Sequence, residues 1–68
     1  MKTITIHPAE DITGRYWVFI DEDGKELNSY HRANFEGKNG YTLEEAKEKC
    51  QKLFGEINIE ISGIKINA

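Results

Sequence analysis

The sequence predicts an α+β fold: a small, mainly antiparallel sheet of four or five strands with one helix packed on one face, in the order β-β-β-α-β. Three observations predict it. Short runs of β-branched and aromatic residues alternate with turn residues, residues 42–55 carry helix signals at both ends, and the tail alternates isoleucine with polar residues. Sixty-eight residues leave room for one core, so residues 1–68 are expected to form a single domain.

The first strand is expected over residues 2–7. Ile4 and Ile6 alternate with threonines, which is typical of a half-buried strand. Pro8 lacks the N–H that a ladder needs, so it is expected to end the strand. The polar residues 9–14 then form a link to the second strand.

The second strand, residues 15–21, is apolar on both of its faces. Neighbouring side chains on a strand point to opposite sides, so the residues divide into two sets. One set is Tyr16, Val18 and Ile20, and the other is Trp17 and Phe19. Because one helix covers only one face of a sheet, we expect the face with Trp17 and Phe19 to stay partly exposed and to meet a partner.

A hairpin is predicted after the second strand, because Asp23-Gly24 separates two β-rich runs. The third strand then returns over residue 25 to about residue 33. A two-residue turn would place Ile20 opposite Leu27, whereas a longer loop would shift the pairing by a residue or two.

Residues 42–55 predict a helix with a capping box. Thr42 is the N-cap and Glu45 the third helical position, and Gly55 is expected to end the helix in a left-handed conformation. The predicted buried stripe at helical spacing is Leu43, Ala46, Cys50, Leu53 and Phe54.

The tail alternates isoleucine with polar residues and then changes parity across Ser62-Gly63. A two-residue hairpin would put all five isoleucines of the tail on one side, and a bulge would bend one continuous strand. Of the two we favour the hairpin.

Composition argues against several functional classes. Nine basic and twelve acidic residues give a net charge of −3 without a basic arm, which disfavours bulk attraction to nucleic acid. The single cysteine, Cys50, allows no internal disulfide, and the chain has neither a signal-peptide pattern nor a run of about 20 apolar residues. We therefore expect a cytoplasmic protein without membrane contact.

No catalytic residue, metal site or cofactor is predicted. His7 and His31 have no nucleophile or carboxylate placed beside them by spacing, so both are interpreted as structural. Asp21 and Asp23 resemble the start of a calcium loop, but the position of the bidentate glutamate is occupied by Tyr30. The segment is therefore interpreted as a turn.

The predicted functional surface combines aromatic rings with guanidinium groups. Its residues, on one face of the second and third strands, are Arg15, Trp17, Phe19, Tyr30 and Arg32. These residue types are enriched at protein interfaces, and they also suit single-stranded nucleic acid, where rings stack on bases and arginines contact phosphates.

Two family resemblances bear on this surface. The run from Gly14 to Cys50, with Trp17, Asp23-Gly24-Lys25 and Phe35, resembles the arm-type DNA-binding domain of tyrosine recombinases. That resemblance implies a sheet in the major groove contacting DNA through Arg15, Trp17 and Arg32, although that family is usually basic. The run 40–46, Gly-Tyr-Thr-Leu-Glu-Glu-Ala, is similar to the helix start of HicB-type antitoxins without their usual Pro-Gly stretch, and it implies binding to a toxin.

We therefore predict a small non-enzymatic binding protein that acts by contacting a protein partner. Its expected role is that of an inhibitor, an antitoxin-like protein or another accessory protein of a phage or mobile element. The alternative is a nucleic-acid-binding domain that uses the same sheet face. Homodimerisation through an edge strand is a third hypothesis, because the N- and C-terminal strands can leave a sheet edge unpaired.

Overall fold

A computed structural model describes residues 1–62. It confirms the α+β class: the described chain forms one four-stranded mixed sheet, in the spatial order β3-β2-β1-β4, and one helix. The elements are β1 Lys2–Asp11, β2 Gly14–Ile20, β3 Glu26–His31, α1 Leu43–Phe54 and β4 Ile57–Ile61. The described part of the chain contains no helix long and apolar enough to cross a membrane.

β1 is longer than expected, because Pro8 does not end it. Pro8 lies opposite Trp17 in the antiparallel ladder with β2. The carbonyl of Ile6 accepts a hydrogen bond from the Ser62 N–H at 3.0 Å. The backbone N–H and C=O groups of the even-numbered residues of β1 therefore point towards β4. The missing N–H of Pro8 therefore falls on the β4 side, and the ladder with β2 continues to Asp11.

The residues expected to form a polar link instead form a tight β1–β2 turn. Asp11 pairs with Gly14, and the register places Ile6 opposite Phe19. The Asp11 carboxylate accepts hydrogen bonds from the hydroxyl and the backbone N–H of Thr13, which favour its charged form and hold its pKa below the ordinary value of 3.8. Gly14 has a φ of 141°, which suits glycine.

Asp11→Ala is expected to destabilise the protein at neutral pH and to have less effect in acid. The pKa of Asp11 is lower in the folded than in the unfolded protein. Its contribution to the free energy of unfolding is therefore complete above the unfolded pKa and is lost as the pH falls through the folded pKa. Urea midpoints of both proteins between neutral and acidic pH measure this. Glu22→Ala, an exposed carboxylate in the turn at the opposite end of the sheet, is the control. A difference that is constant with pH would contradict the prediction.

The β2–β3 hairpin has most of the predicted register, from Tyr16 opposite His31 to Phe19 opposite Asn28. The turn is longer than two residues, because Asp21 N–H donates to the carbonyl of Lys25 and the Asp21 carboxylate accepts from two backbone N–H groups of the turn. The ladder is irregular next to the turn, and Ile20 pairs with Glu26 instead of Leu27. The strand also ends at His31, two residues earlier than expected.

The helix begins and ends where the sequence predicts. The side chain of Thr42 accepts from Glu45 N–H and the carboxylate of Glu45 accepts from Thr42 N–H, which completes the capping box. Gly55 follows the helix with a φ of 75° and a ψ of −136°, so its φ is positive but it lies outside the left-handed helical region. Ala46 and Cys50 are fully buried, whereas Leu53 is 44% exposed and was wrongly assigned to the buried stripe.

β4 runs parallel to β1, which makes the sheet mixed. Ile59 lies beside Ile4, and Ile61 lies beside Ile6. β1 is therefore an inner strand, and the expectation that the N-terminal strand leaves an edge unpaired is wrong; the edge strands among residues 1–62 are β3 and β4. The predicted choice between a hairpin and a bulge at Ser62-Gly63 lies outside the described residues.

The helix packs on the sheet face opposite to the one expected. Phe19 is 0% and Trp17 6% exposed, in one core with Ile4, Ile6, Ala46 and Cys50. The register of β1 explains the outcome, because it adds the two isoleucines to the face that already carries Trp17 and Phe19. The prediction that this face stays exposed is therefore wrong.

The uncovered sheet face is largely polar. Tyr16, Val18 and Ile20 of β2 lie on it, and the strand registers place polar residues beside them: Thr3, Thr5, His7, Ser29 and His31. The ring of Tyr16 lies 4.9 Å from that of His31, between centroids. Val18 is 6% exposed although no helix covers it, so neighbouring strand residues shield it.

Candidate functional site

The buried face becomes accessible at one end of the sheet, beyond the first turn of the helix. A groove of about 260 Å³ opens there between the start of β2, the end of β3 and the segment 33–43. We call it the arginine groove, and its principal lining residues are Arg15, Trp17, Arg32, Phe35, Tyr41 and Leu43.

The two arginines stand side by side because β2 and β3 are antiparallel. The N–H of Arg32 donates to the carbonyl of Arg15 at 2.9 Å, which extends the ladder by one pair beyond Tyr16 and His31. Both side chains lie on the same face as Trp17, since each is two residues from a member of the Trp17–Tyr30 pair. The predicted clustering of these arginines beside Trp17 agrees with this geometry.

Each guanidinium group stacks on a different aromatic ring. The Cζ of Arg32 lies 5.4 Å from the ring centroid of Trp17, and the Cζ of Arg15 lies 5.3 Å from that of Phe35. The indole N–H of Trp17 donates to the carbonyl of Tyr41 at 2.8 Å, which holds the ring in place. The rings therefore set the direction of both guanidinium groups.

The loop before the helix displays Phe35 on the outside of the groove, where it is 99% exposed. The side-chain oxygen of Asn34 accepts hydrogen bonds from Glu36 N–H at 2.9 Å and Lys38 N–H at 3.0 Å. Asn34 N–H in turn donates to the carbonyl of Lys38 at 2.9 Å. A compact hydrogen-bonded turn thus presents the exposed ring.

The far end of the same loop is tied to the sheet. Tyr41 N–H donates to the carbonyl of His31 and Ala33 N–H donates to the carbonyl of Tyr41, both at 2.8 Å. Gly40 approaches this backbone so closely that a Cβ there would lie 2.7 Å from the His31 carbonyl oxygen. The groove wall is therefore held by backbone contacts that only glycine permits.

The remaining predicted site residues do not reach the groove opening. Tyr30 is half-buried between Phe19 and Tyr41, with ring centroids 5.3 Å and 5.2 Å away. Phe19 is enclosed in the core and also packs edge-on against Phe54. Phe19 and Tyr30 thus support the groove from below, and their predicted role as contact residues does not fit their burial.

Among the groove residues outside the predicted site, Phe35 is the most exposed. It comes directly before residues 36–40, whose composition indicates a loop, so an aromatic residue beside a loop was the available signal in the sequence. Cys50 is not a candidate nucleophile. Burial raises the pKa of its thiol, which keeps the thiol protonated and unreactive at neutral pH.

Comparison of the chain with protein-family models, with curated proteins and with solved structures finds no match in any of the three. The fold of residues 1–62 defines the class of the protein, which is a small α+β domain with a four-stranded mixed sheet. The resemblances to the arm-type domain of tyrosine recombinases and to HicB-type antitoxins stay predictions.

Proposed function

We propose that this chain is a small non-enzymatic binding protein that contacts a protein partner through the end of the sheet that carries the arginine groove. The observation that carries the proposal is Phe35, an aromatic ring that an ordered loop holds in solvent beside two arginines. Aromatic residues and arginine dominate the energetics of protein interfaces, and a ring that is already ordered loses little entropy on binding.

The chemistry of the groove supports binding over catalysis. Its lining among residues 1–62 offers guanidinium groups, aromatic rings, the hydroxyls of Tyr41 and Thr42 and the amide of Asn34. His7 and His31 lie on the opposite face of the sheet. A partner segment would therefore meet donors and flat apolar surfaces. We propose an inhibitor or antitoxin-like role in the cytoplasm, in which occupying a surface of the partner is the whole activity.

A second candidate is a nucleic-acid-binding domain that uses the same groove, because arginines stacked on rings also suit bases and phosphates. The net charge of −3 and the acidic residues Glu10 and Glu36 near the groove favour a protein partner instead. The two candidates differ in salt dependence, which is steep for phosphate contacts.

Phe35→Ala is expected to weaken partner binding about 30-fold, since an interface hot spot contributes about 2 kcal/mol. The experiment is affinity capture from the native host after nuclease treatment, followed by measurement of the affinity for the purified partner. Leu53→Ala is the matched control, because it removes an exposed apolar side chain from the last turn of the helix, remote from the groove.

Capture that survives nuclease, is kept by Leu53→Ala and is lost by Phe35→Ala supports the proposal. Capture that disappears with nuclease would instead support the nucleic-acid candidate. A protein partner bound equally well by the wild type and by Phe35→Ala would overturn the choice of surface.

A further inference from the structure

The arginine groove holds two like charges without a counter-charge. Arg15 and Arg32 form a directly opposed pair on one sheet face, where side chains stand about 5 Å apart and like charges destabilise the sheet. Neither guanidinium has a carboxylate within salt-bridge distance among residues 1–62. Glu10 is the neighbour of Arg15 in the β1–β2 ladder, yet the two form no ion pair. An anion between the guanidinium groups would relieve this repulsion.

The side chain of Arg32 supplies an independent indication. Its Nε is buried and has no hydrogen-bond partner in the part of the chain that the structure describes. Buried polar groups are nearly always paired, so an unpaired donor at a groove requires an explanation. The guanidinium carbon of Arg32 lies over the Trp17 ring, 5.4 Å from its centroid, so this cationic group forms part of the groove wall.

The surroundings select the type of anion. Trp17, Phe35 and Leu43 make much of the wall apolar. Glu36 lies next to Phe35 in the loop, and the carboxylate of Glu45 caps the helix at the groove end. A polyanion would meet these acidic groups, whereas a single carboxylate beside an apolar side chain would fit between the guanidinium groups and the rings.

We propose that the arginine groove binds a carboxylate that stands beside an aromatic or apolar side chain in a protein partner. The carboxylate accepts hydrogen bonds from Arg15 and Arg32, and the apolar side chain contacts Phe35 and the accessible edge of Trp17. This inference rests on the proposed function and names the chemistry that the partner presents there.

The test uses a fragment of that chemistry. N-acetyl-L-phenylalanine carries the carboxylate and the ring, and its neutral amide, N-acetyl-L-phenylalaninamide, is the matched probe without charge. Trp17 is the only tryptophan, so its fluorescence and its indole N–H resonance report directly from the groove. At low ionic strength we expect a dissociation constant of about 1 mM for the acid and at least about tenfold weaker binding of the amide.

Arg15→Gln and Arg32→Gln are each expected to weaken binding of the acid about tenfold or more and to abolish the preference over the amide. Arg32→Lys keeps the charge without the planar donors, so it should recover only part of the affinity. Lys25→Gln, in the turn at the other end of the sheet, removes one positive charge without effect. Arg15→Gln should also raise the melting temperature of the free protein, which shows that the variant folds.

Equal binding of the acid and the amide, or no change in either Trp17 signal, would overturn the carboxylate site while leaving capture through Phe35 to be judged by its own experiment. Tighter binding of uridine monophosphate than of the acid would overturn it in favour of a nucleotide. If Phe35→Ala keeps partner capture while the acid still binds, the proposed function fails and the carboxylate site stands.

Discussion

Phe19→Ala is expected to remove much of the protein's free energy of unfolding. Phe19 is 0% exposed and contacts the rings of Tyr30 and Phe54. Removing a buried phenylalanine side chain costs about 3–5 kcal/mol, because apolar burial is lost and a cavity remains. A domain of this length has a total free energy of unfolding of about 3–10 kcal/mol, so one such change consumes much of it.

Urea denaturation followed through the fluorescence of Trp17 measures the change. Phe35→Ala is the matched control, since it removes the same ring from a position that is 99% exposed. We expect its free energy of unfolding to change by no more than about 0.5 kcal/mol. Similar losses in the two variants would mean that Phe19 is not the centre of the core.

Gly40→Ala is expected to destabilise the protein and to damage the arginine groove. The added Cβ would lie 2.7 Å from the carbonyl oxygen of His31, 2.8 Å from the carbonyl carbon of Arg32 and 2.9 Å from the nitrogen of Ala33. All three are backbone atoms, so no side-chain rotation can relieve the overlap. The segment must shift, which costs about 1–3 kcal/mol and moves Tyr41, the partner of the Trp17 indole, away from the sheet.

Gly24→Ala separates steric overlap from backbone strain. Gly24 has a φ of 82° and open space around its Cβ position, so alanine there costs about 1–2 kcal/mol through its conformation alone. We expect Gly24→Ala to keep the affinity for N-acetyl-L-phenylalanine and Gly40→Ala to lose it. Both affinities are measured through Trp17 under conditions in which each variant is folded. An intact groove in Gly40→Ala would contradict the close approach of the loop.

Local signals predicted the types and most bounds of the elements. The capping box of Thr42 and Glu45 marks the helix start, and Asp23-Gly24 marks the hairpin between β2 and β3. Such signals act within a few residues, so they survive without knowledge of the rest of the fold. They failed at Pro8, because a missing N–H ends the ladder with β2 only if that position of β1 faces β2, and Pro8 faces β4.

The candidate site was predicted in part for the same reason. Strand periodicity placed Arg15, Trp17 and Arg32 on one face, and the coordinates bring them together. Periodicity does not reveal Phe35, because the position of a loop residue depends on hydrogen bonds made by Asn34 and Tyr41. It also could not show that the helix stops short of the arginines.

The sequence by itself determined which segments are strands and helix and which side chains share a face, because alternation, caps and turn residues are properties of neighbouring positions. Only the tertiary structure decided which face is buried. That choice follows from the apolar surface summed over all the strands: Ile4 and Ile6 join Trp17 and Phe19 once β1 pairs with β2, and the helix covers the larger total. The arginine groove is what this packing leaves accessible.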